Sequence, residues 1–209
     1  MKKMLVAGDS FFCTDEHFAG QHFSEMFGED VQVTNVSGPG FSNTAIFSQI
    51  LYALMQETFD YCVIGFTAIL RLPVRGNTKY SLSPMHVQWR STSSGDLSSK
   101  ERLIADQFLA ITVNEPFMIS DLALVDLILQ LLKEKNIQVA WMLGGLHQVK
   151  EEFNTDSITP MATLINRIAS NHNDRMIPLD YWSYPKLVAS PIYHINDLKY
   201  QKDIATKIS

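Results

Sequence analysis

The sequence predicts a three-layer α/β/α sandwich built on a doubly wound, five-stranded parallel sheet. Three observations carry that prediction. Short apolar runs alternate along the chain with longer amphipathic stretches, as repeated strand–helix units require. Runs such as Met4 to Ala7 and Tyr61 to Ile64 are apolar almost throughout, as befits strands covered on both faces. Several of them stop at glycine, at Gly8, Gly65 and Gly144-Gly145, where a strand gives way to a turn.

Met4 to Ala7 is the first strand, and Phe11 to Phe27 reads as a helix stopped by Gly28. Val31 to Val36 alternates apolar and polar residues as a second strand before the turn Gly38-Pro39-Gly40. Ser42 stands where it caps a helix running to about Thr58, and Tyr61 to Ile64 is the third strand. Ser98 and Glu101, at capping-box spacing, open a helix over about Ser99 to Val113. Pro116 interrupts, and a further helix follows to about Lys135. Ile137 to Leu143 is the fourth strand, a helix covers about Asp156 to Ser170, and the fifth strand lies around Met176 to Asp180. A last helix runs from about Asn196 to Ile208. Residues 1–209 read as one domain without internal repeats. Val74 to Ser98 stands apart: polar, serine-rich, unperiodic and longer than most connections. Leaving the third strand's carboxyl end, it is expected to overhang any site there.

Composition narrows the function classes. With 209 residues, 46% of them hydrophobic, the chain can bury a substantial core without staples. A net charge of −5 and the lack of a basic stripe argue against a nucleic-acid partner. Cys13 and Cys62 form no disulfide framework and fit a reducing compartment. Gly8-Asp9 cuts the first apolar run too early for a signal peptide. Asp126 and Gln130 interrupt Leu122 to Leu132, so no bilayer span is expected. The expectation is a cytoplasmic protein with no membrane partner; composition is silent on oligomeric state.

In parallel sheets the working groups gather beyond the carboxyl ends of the strands. Ser10 falls there, between the first strand and the predicted helix, where free N–H groups and the positive end of a helix dipole meet. A serine so placed can attack a carbonyl while its own N–H holds the developing oxyanion. The plain alternative is that it caps the helix. Cys13 and His17 lie four apart but have no further ligands beside them, so no metal is expected. Gly38-Pro39-Gly40 lacks the Gly-Lys-Ser/Thr of a phosphate loop. A flavin site in the same architecture needs a small, hydroxyl-rich first loop, which Phe11-Phe12 opposes. No cofactor is expected.

Four blocks occur in order along nearly the whole chain: Gly8-Asp9-Ser10, Asn35 to Asn43, Gly65-Phe66-Thr67, and His194-Ile195-Asn196 before the last helix. Together they resemble the SGNH (GDSL-type) hydrolase family, which has a flavodoxin-like sheet. The resemblance implies Ser10 as nucleophile, His194 as general base and Gly40 as the glycine whose N–H serves the oxyanion hole. Thr67 stands where the family has the asparagine that completes that hole. Its hydroxyl can donate one hydrogen bond, and Asn43 is the alternative donor. Gly-Phe-Thr followed by Arg71 resembles a variant met among phage and related bacterial members. Pro191 stands where the family has an aspartate three residues before the histidine, so a backbone carbonyl, Asp180 or Asp197 is left to orient His194.

Serine is a weak nucleophile until a neutral imidazole takes its proton, and imidazole is neutral near pH 7. The expected function is therefore a serine esterase acting through a Ser–His dyad on a small ester, for instance an O-acetyl group on a saccharide. Tyr80, Trp89 and Arg90, with Arg71 and Arg75, form an aromatic and cationic set. Aromatic faces stack on sugar rings and arginine grips carboxylates, so Asn43, Arg71, Trp89 and Arg90 are the expected substrate contacts. The alternative for this set is a solvated loop. From another class, a silent fold serving as a binding or structural module is favoured by the two departures. An acyltransferase differs only in excluding water and accepting an alcohol or sugar.

Overall fold

The computed structural model describes residues 1–9, 12–14, 22–38, 41–67, 72–74, 77–82, 103, 107, 115–142, 159–172 and 198–208. Its strands are β1 (Lys2–Gly8), β2 (Val31–Asn35), β3 (Tyr61–Gly65), β4 (Leu72–Val74), β5 (Asn77–Leu82) and β6 (Gln138–Met142). Four of them form a parallel sheet in the order β2-β1-β3-β6. The chain runs from β1 outward to β2, then crosses β1 to reach β3, so the winding reverses between β1 and β3. Such a reversal opens a crevice at the carboxyl ends of the two strands, where Gly8 pairs with Gly65. The order is that of the first four strands of a flavodoxin-like sheet. The expected fifth strand, Met176 to Asp180, lies outside the described residues.

Strand alternation sorts side chains onto two buried faces. Leu5, Ala7, Cys62, Ile64, Val139 and Trp141 face one layer, made by helices α1 (Asn43–Gln56), α2 (Glu115–Glu134) and α3 (Thr159–Asn171). Met4, Val6, Val63 and Met142 face the other, together with Phe12, Phe23 and Ile204 of helix α4 (Leu198–Ile208). Both faces are covered, which is why β1 from Met4 onward and β3 from Cys62 onward are buried and apolar. Strand β2 lies at the sheet's edge and stays half-exposed, matching its alternating sequence.

Local chemistry explains the helices. The Ser42 side chain accepts from Ala45 N–H at 3.2 Å and caps α1, which buries Ile46, Ile50 and Ala53 at helical spacing. On α2 the buried stripe is Leu122, Val125, Ile128, Leu129 and Leu132. Asp126 on the same helix meets His172 Nε2 at 2.9 Å, and Trp141 Nε1 donates to the His172 carbonyl at 3.1 Å. These bonds fasten the end of α3 to α2 and to the sheet. Among the described residues no helix is long and apolar enough to cross a membrane.

Two expectations change. The helix expected over Phe11 to Phe27 is, at its described end, a 3-10 turn at Phe23–Glu25 closed by a capping box with His22. Packing decides this: Phe12 and Phe23 are both fully buried with their rings edge-to-face at 5.3 Å, and Phe23 N–H donates to Gln201 Oε1 of α4 at 2.9 Å. The polar segment Val74 to Ser98 opens as a strand. β4 and β5 pair antiparallel, Val74 opposite Asn77, with an irregularity at Pro73/Val74. The alternation of Thr78, Tyr80 and Leu82 with Lys79 and Ser81 is the sequence signal for it. The helix expected over Ser99 to Val113 lies outside the described residues except for Leu103 and Gln107, both helical.

The glycines ending β1 and β3 are there for space. A Cβ on Gly8 would stand 2.7 Å from Phe12 Cβ, and one on Gly65 would clash with the edge of the Phe12 ring. Phe12 therefore covers the paired ends of the two strands. Gly65→Ala is expected to lower stability by about 1–3 kcal/mol, as overpacking does. Pairing it with Phe12→Leu should recover part of the loss, measured by denaturant unfolding.

Candidate active site at the carboxyl ends of β1 and β3

The residue after β1 is Asp9, only 2% exposed although it is an acid. Burying a carboxyl is costly unless donors meet it. Thr67 Oγ1, at the end of β3, donates to Asp9 Oδ2 at 2.7 Å. Phe12 N–H donates back to the Asp9 carbonyl at 3.0 Å, folding the chain over just beyond Asp9. Thr67 is in turn clamped by Asn43, the first residue of α1. Asn43 Oδ1 accepts Thr67 N–H at 3.0 Å, and Asn43 Nδ2 donates to the Thr67 carbonyl at 3.3 Å. Asn43 Nδ2 also donates to Asp121 Oδ2 on α2 at 2.8 Å. A buried polar chain thus runs Asp121–Asn43–Thr67–Asp9, across the point where the winding reverses.

Of the residues singled out from sequence, the structure brings Thr67 and Asn43 together at this edge. It gives both of them other occupations than those expected. Thr67 is fully buried and its single hydroxyl proton goes to Asp9. Asn43 is 1% exposed, with its amide hydrogens given to Thr67 and Asp121. In this arrangement the Thr67 hydroxyl proton and both Asn43 amide hydrogens go to protein acceptors. Ser10, Gly40, Arg71, Trp89, Arg90 and His194 lie outside the described residues.

No family model matches the sequence, and no curated protein does. Solved structures do match. TesA superposes with a TM-score of 0.55 at 12% identity, over 99% of this chain and 96% of that one. The lipase/acylhydrolase from Enterococcus faecalis gives 0.54 at 14% identity, over 100% and 95%. The psychrotrophic esterase EstA from Pseudoalteromonas sp. gives 0.52 at 11% identity, over 100% and 94%. The acetyl xylan esterase AlAXEase gives 0.51 at 14% identity, over 99% and 97%. The chain shares their fold.

Sequence reasoning passed over Asp121. Its signal was present: residue 121 lies four, seven and eight positions before Val125, Ile128 and Leu129, so a carboxylate interrupts the apolar stripe of α2. Burial pushes the Asp121 pKa from 3.8 up to about 6, against the pull of the Asn43 bond. The folded chain then holds a proton there that the unfolded chain has already lost, so stability falls as pH rises from about 4 to about 6. The cost of ionising it is on the order of 3 kcal/mol. Asp121→Asn removes this dependence. Its stability advantage over the wild type should be absent near pH 4 and grow to a plateau above pH 6, read by urea unfolding across that range.

Cys13, three residues after Ser10 in the sequence, is another side chain of a nucleophilic type. Its Sγ–H donates to the Asp9 carbonyl at 3.5 Å, and burial, aided by the Asp9 charge, pushes its pKa up to about 12. It is a thiol, unsuited to attack.

Proposed function

We propose that this chain is a serine ester hydrolase of the SGNH kind, a single domain spanning residues 1–209 that acts on a small ester. Ser10 attacks the carbonyl carbon while His194 takes its proton. The backbone N–H groups of Ser10 and Gly40 hold the oxyanion. Collapse expels the alcohol with a proton returned from His194. Water activated by the same imidazole then releases the acid from Ser10.

The observation that carries this reading is Asp9. A carboxyl next in sequence to Ser10 is buried and bonded across the β1–β3 crevice, a way to hold a nucleophile turn rigid at the edge where such sheets do chemistry. The shared fold adds to it, since the neighbours are named esterases and a lipase/acylhydrolase. An acetyl xylan esterase among them supports an O-acetyl group on a saccharide as substrate. Arg71, Trp89 and Arg90 are then the side chains that grip the saccharide. EstA is inhibited by monoethylphosphonate, which recommends the test. A fluorophosphonate probe should label the protein, with the adduct mapped to Ser10 by peptide mass spectrometry; absence of labelling counts against the reading.

In this scheme Thr67 holds Asp9 in place. Thr67→Val keeps the shape and removes the proton from Asp9. Turnover should fall about tenfold or more with KM little changed, and stability by about 1–3 kcal/mol because a buried carboxyl loses a donor. A pure oxyanion donor would lower turnover without lowering the unfolding midpoint, so calorimetry beside kinetics separates the two roles.

A silent binding module is the second reading. Pro191 in the place of an orienting aspartate and the committed hydroxyl of Thr67 favour it.

A further inference from the structure

We propose that Asp121 is a positioning residue for the nucleophile, acting through Asn43 and Thr67 on Asp9; this rests on the esterase reading of Ser10. The chemistry of the chain gives each link a direction. An ionised carboxylate only accepts hydrogen bonds. Asp121 Oδ2 at 2.8 Å therefore turns the amide nitrogen of Asn43 toward α2 and leaves the amide oxygen facing Thr67. That orientation is the one in which Asn43 both accepts from Thr67 N–H at 3.0 Å and donates to the Thr67 carbonyl at 3.3 Å. Rotated by half a turn, the same amide would face an N–H with its NH₂ group and a carbonyl with its oxygen. Both bonds would be lost. The clamp fixes the backbone of Thr67, and so the point from which its hydroxyl reaches Asp9 at 2.7 Å. Asp9 adjoins Ser10 in the chain.

Every link is buried: Asp9 at 2%, Asn43 at 1%, Thr67 at 0% and Asp121 at 9% exposure. Water cannot replace a broken bond there, so the chain transmits a change at Asp121 instead of absorbing it. A structural role alone would be filled equally well by an asparagine at 121, which offers an acceptor without a buried charge. An asparagine can also present its NH₂ group, so it no longer dictates which way Asn43 points. Retaining a carboxylate on the apolar stripe of α2 is therefore explained by the direction it imposes.

The test compares wild type, Asp121→Asn and Asp121→Ala by fluorophosphonate labelling of Ser10, by turnover of 4-nitrophenyl acetate and by thermal unfolding. Asp121→Asn should fold with an unfolding midpoint at or above that of the wild type at pH 7. Its kcat and its rate of Ser10 labelling should both fall, on the order of tenfold to a hundredfold, as small misplacements of reacting groups do, with KM within about twofold. Asp121→Ala should show the same kinetic loss and a lower midpoint, because Asn43 loses a buried acceptor. A Ser10 adduct in the wild type together with wild-type kcat and labelling rate in Asp121→Asn overturns this inference alone. Absence of an adduct on Ser10 in the wild type overturns the esterase reading, and this inference with it.

Discussion

Ser10→Ala is expected to abolish hydrolysis of short-chain nitrophenyl esters while leaving the fold intact. On the proposed mechanism, removing the Ser10 hydroxyl leaves only binding and oxyanion stabilisation, so turnover should drop on the order of a thousandfold or more. The stability cost should be small, about 1 kcal/mol, the scale of losing a helix cap at a turn. That contrast separates a reacting group from a packing one, since Asp9, Phe12 and Thr67 are buried and their truncation would disturb folding as well. Steady-state kinetics with 4-nitrophenyl acetate beside thermal unfolding read both quantities. Undiminished turnover would move the nucleophile elsewhere. Cys13 would not inherit the role, because a thiol pushed up to about 12 stays protonated across the neutral pH range of the assay.

His194→Gln should be nearly as damaging, again on the order of a thousandfold in kcat, and should erase a pH profile. Imidazole accepts the Ser10 proton only when neutral. Wild-type kcat/KM should therefore rise through the ordinary histidine range near pH 6.5 and level off above it. The variant should have no such inflection. Asp121 ionises over neighbouring pH values, so the profile of Asp121→Asn is the control: an inflection it retains belongs to the base. Normal turnover in His194→Gln would direct attention to His147, which follows β6 in the sequence. His172 is an unsuitable substitute, since its Nε2 is engaged by Asp126 at the seam between α2 and α3.

The sequence by itself determined the architecture, because the signals for it are local. Apolar runs without polar interruption predicted strands covered on both faces, and Leu5, Ala7, Cys62 and Ile64 indeed face one layer while Met4, Val6 and Val63 face the other. Ser42 before an apolar-periodic stretch marked the start of α1. The carboxyl ends of β1 and β3 were legible as the edge to examine, since strand direction and the glycine turns are read directly along the chain. Local periodicity failed where long-range packing outweighed it. Phe12 and Phe23 are pulled into the second core together, so the stretch expected as one helix ends in a short 3-10 turn. Gly8 and Gly65 looked like turn glycines, but the Phe12 ring is what forbids a side chain there. The polar chain behind the candidate site was least legible. Its bonds join residues 78, 24 and 58 positions apart, and no spacing rule spans such distances. Thr67 could be placed at the end of β3 from sequence, but a hydroxyl has one proton, and only the tertiary structure decides that Asp9 receives it.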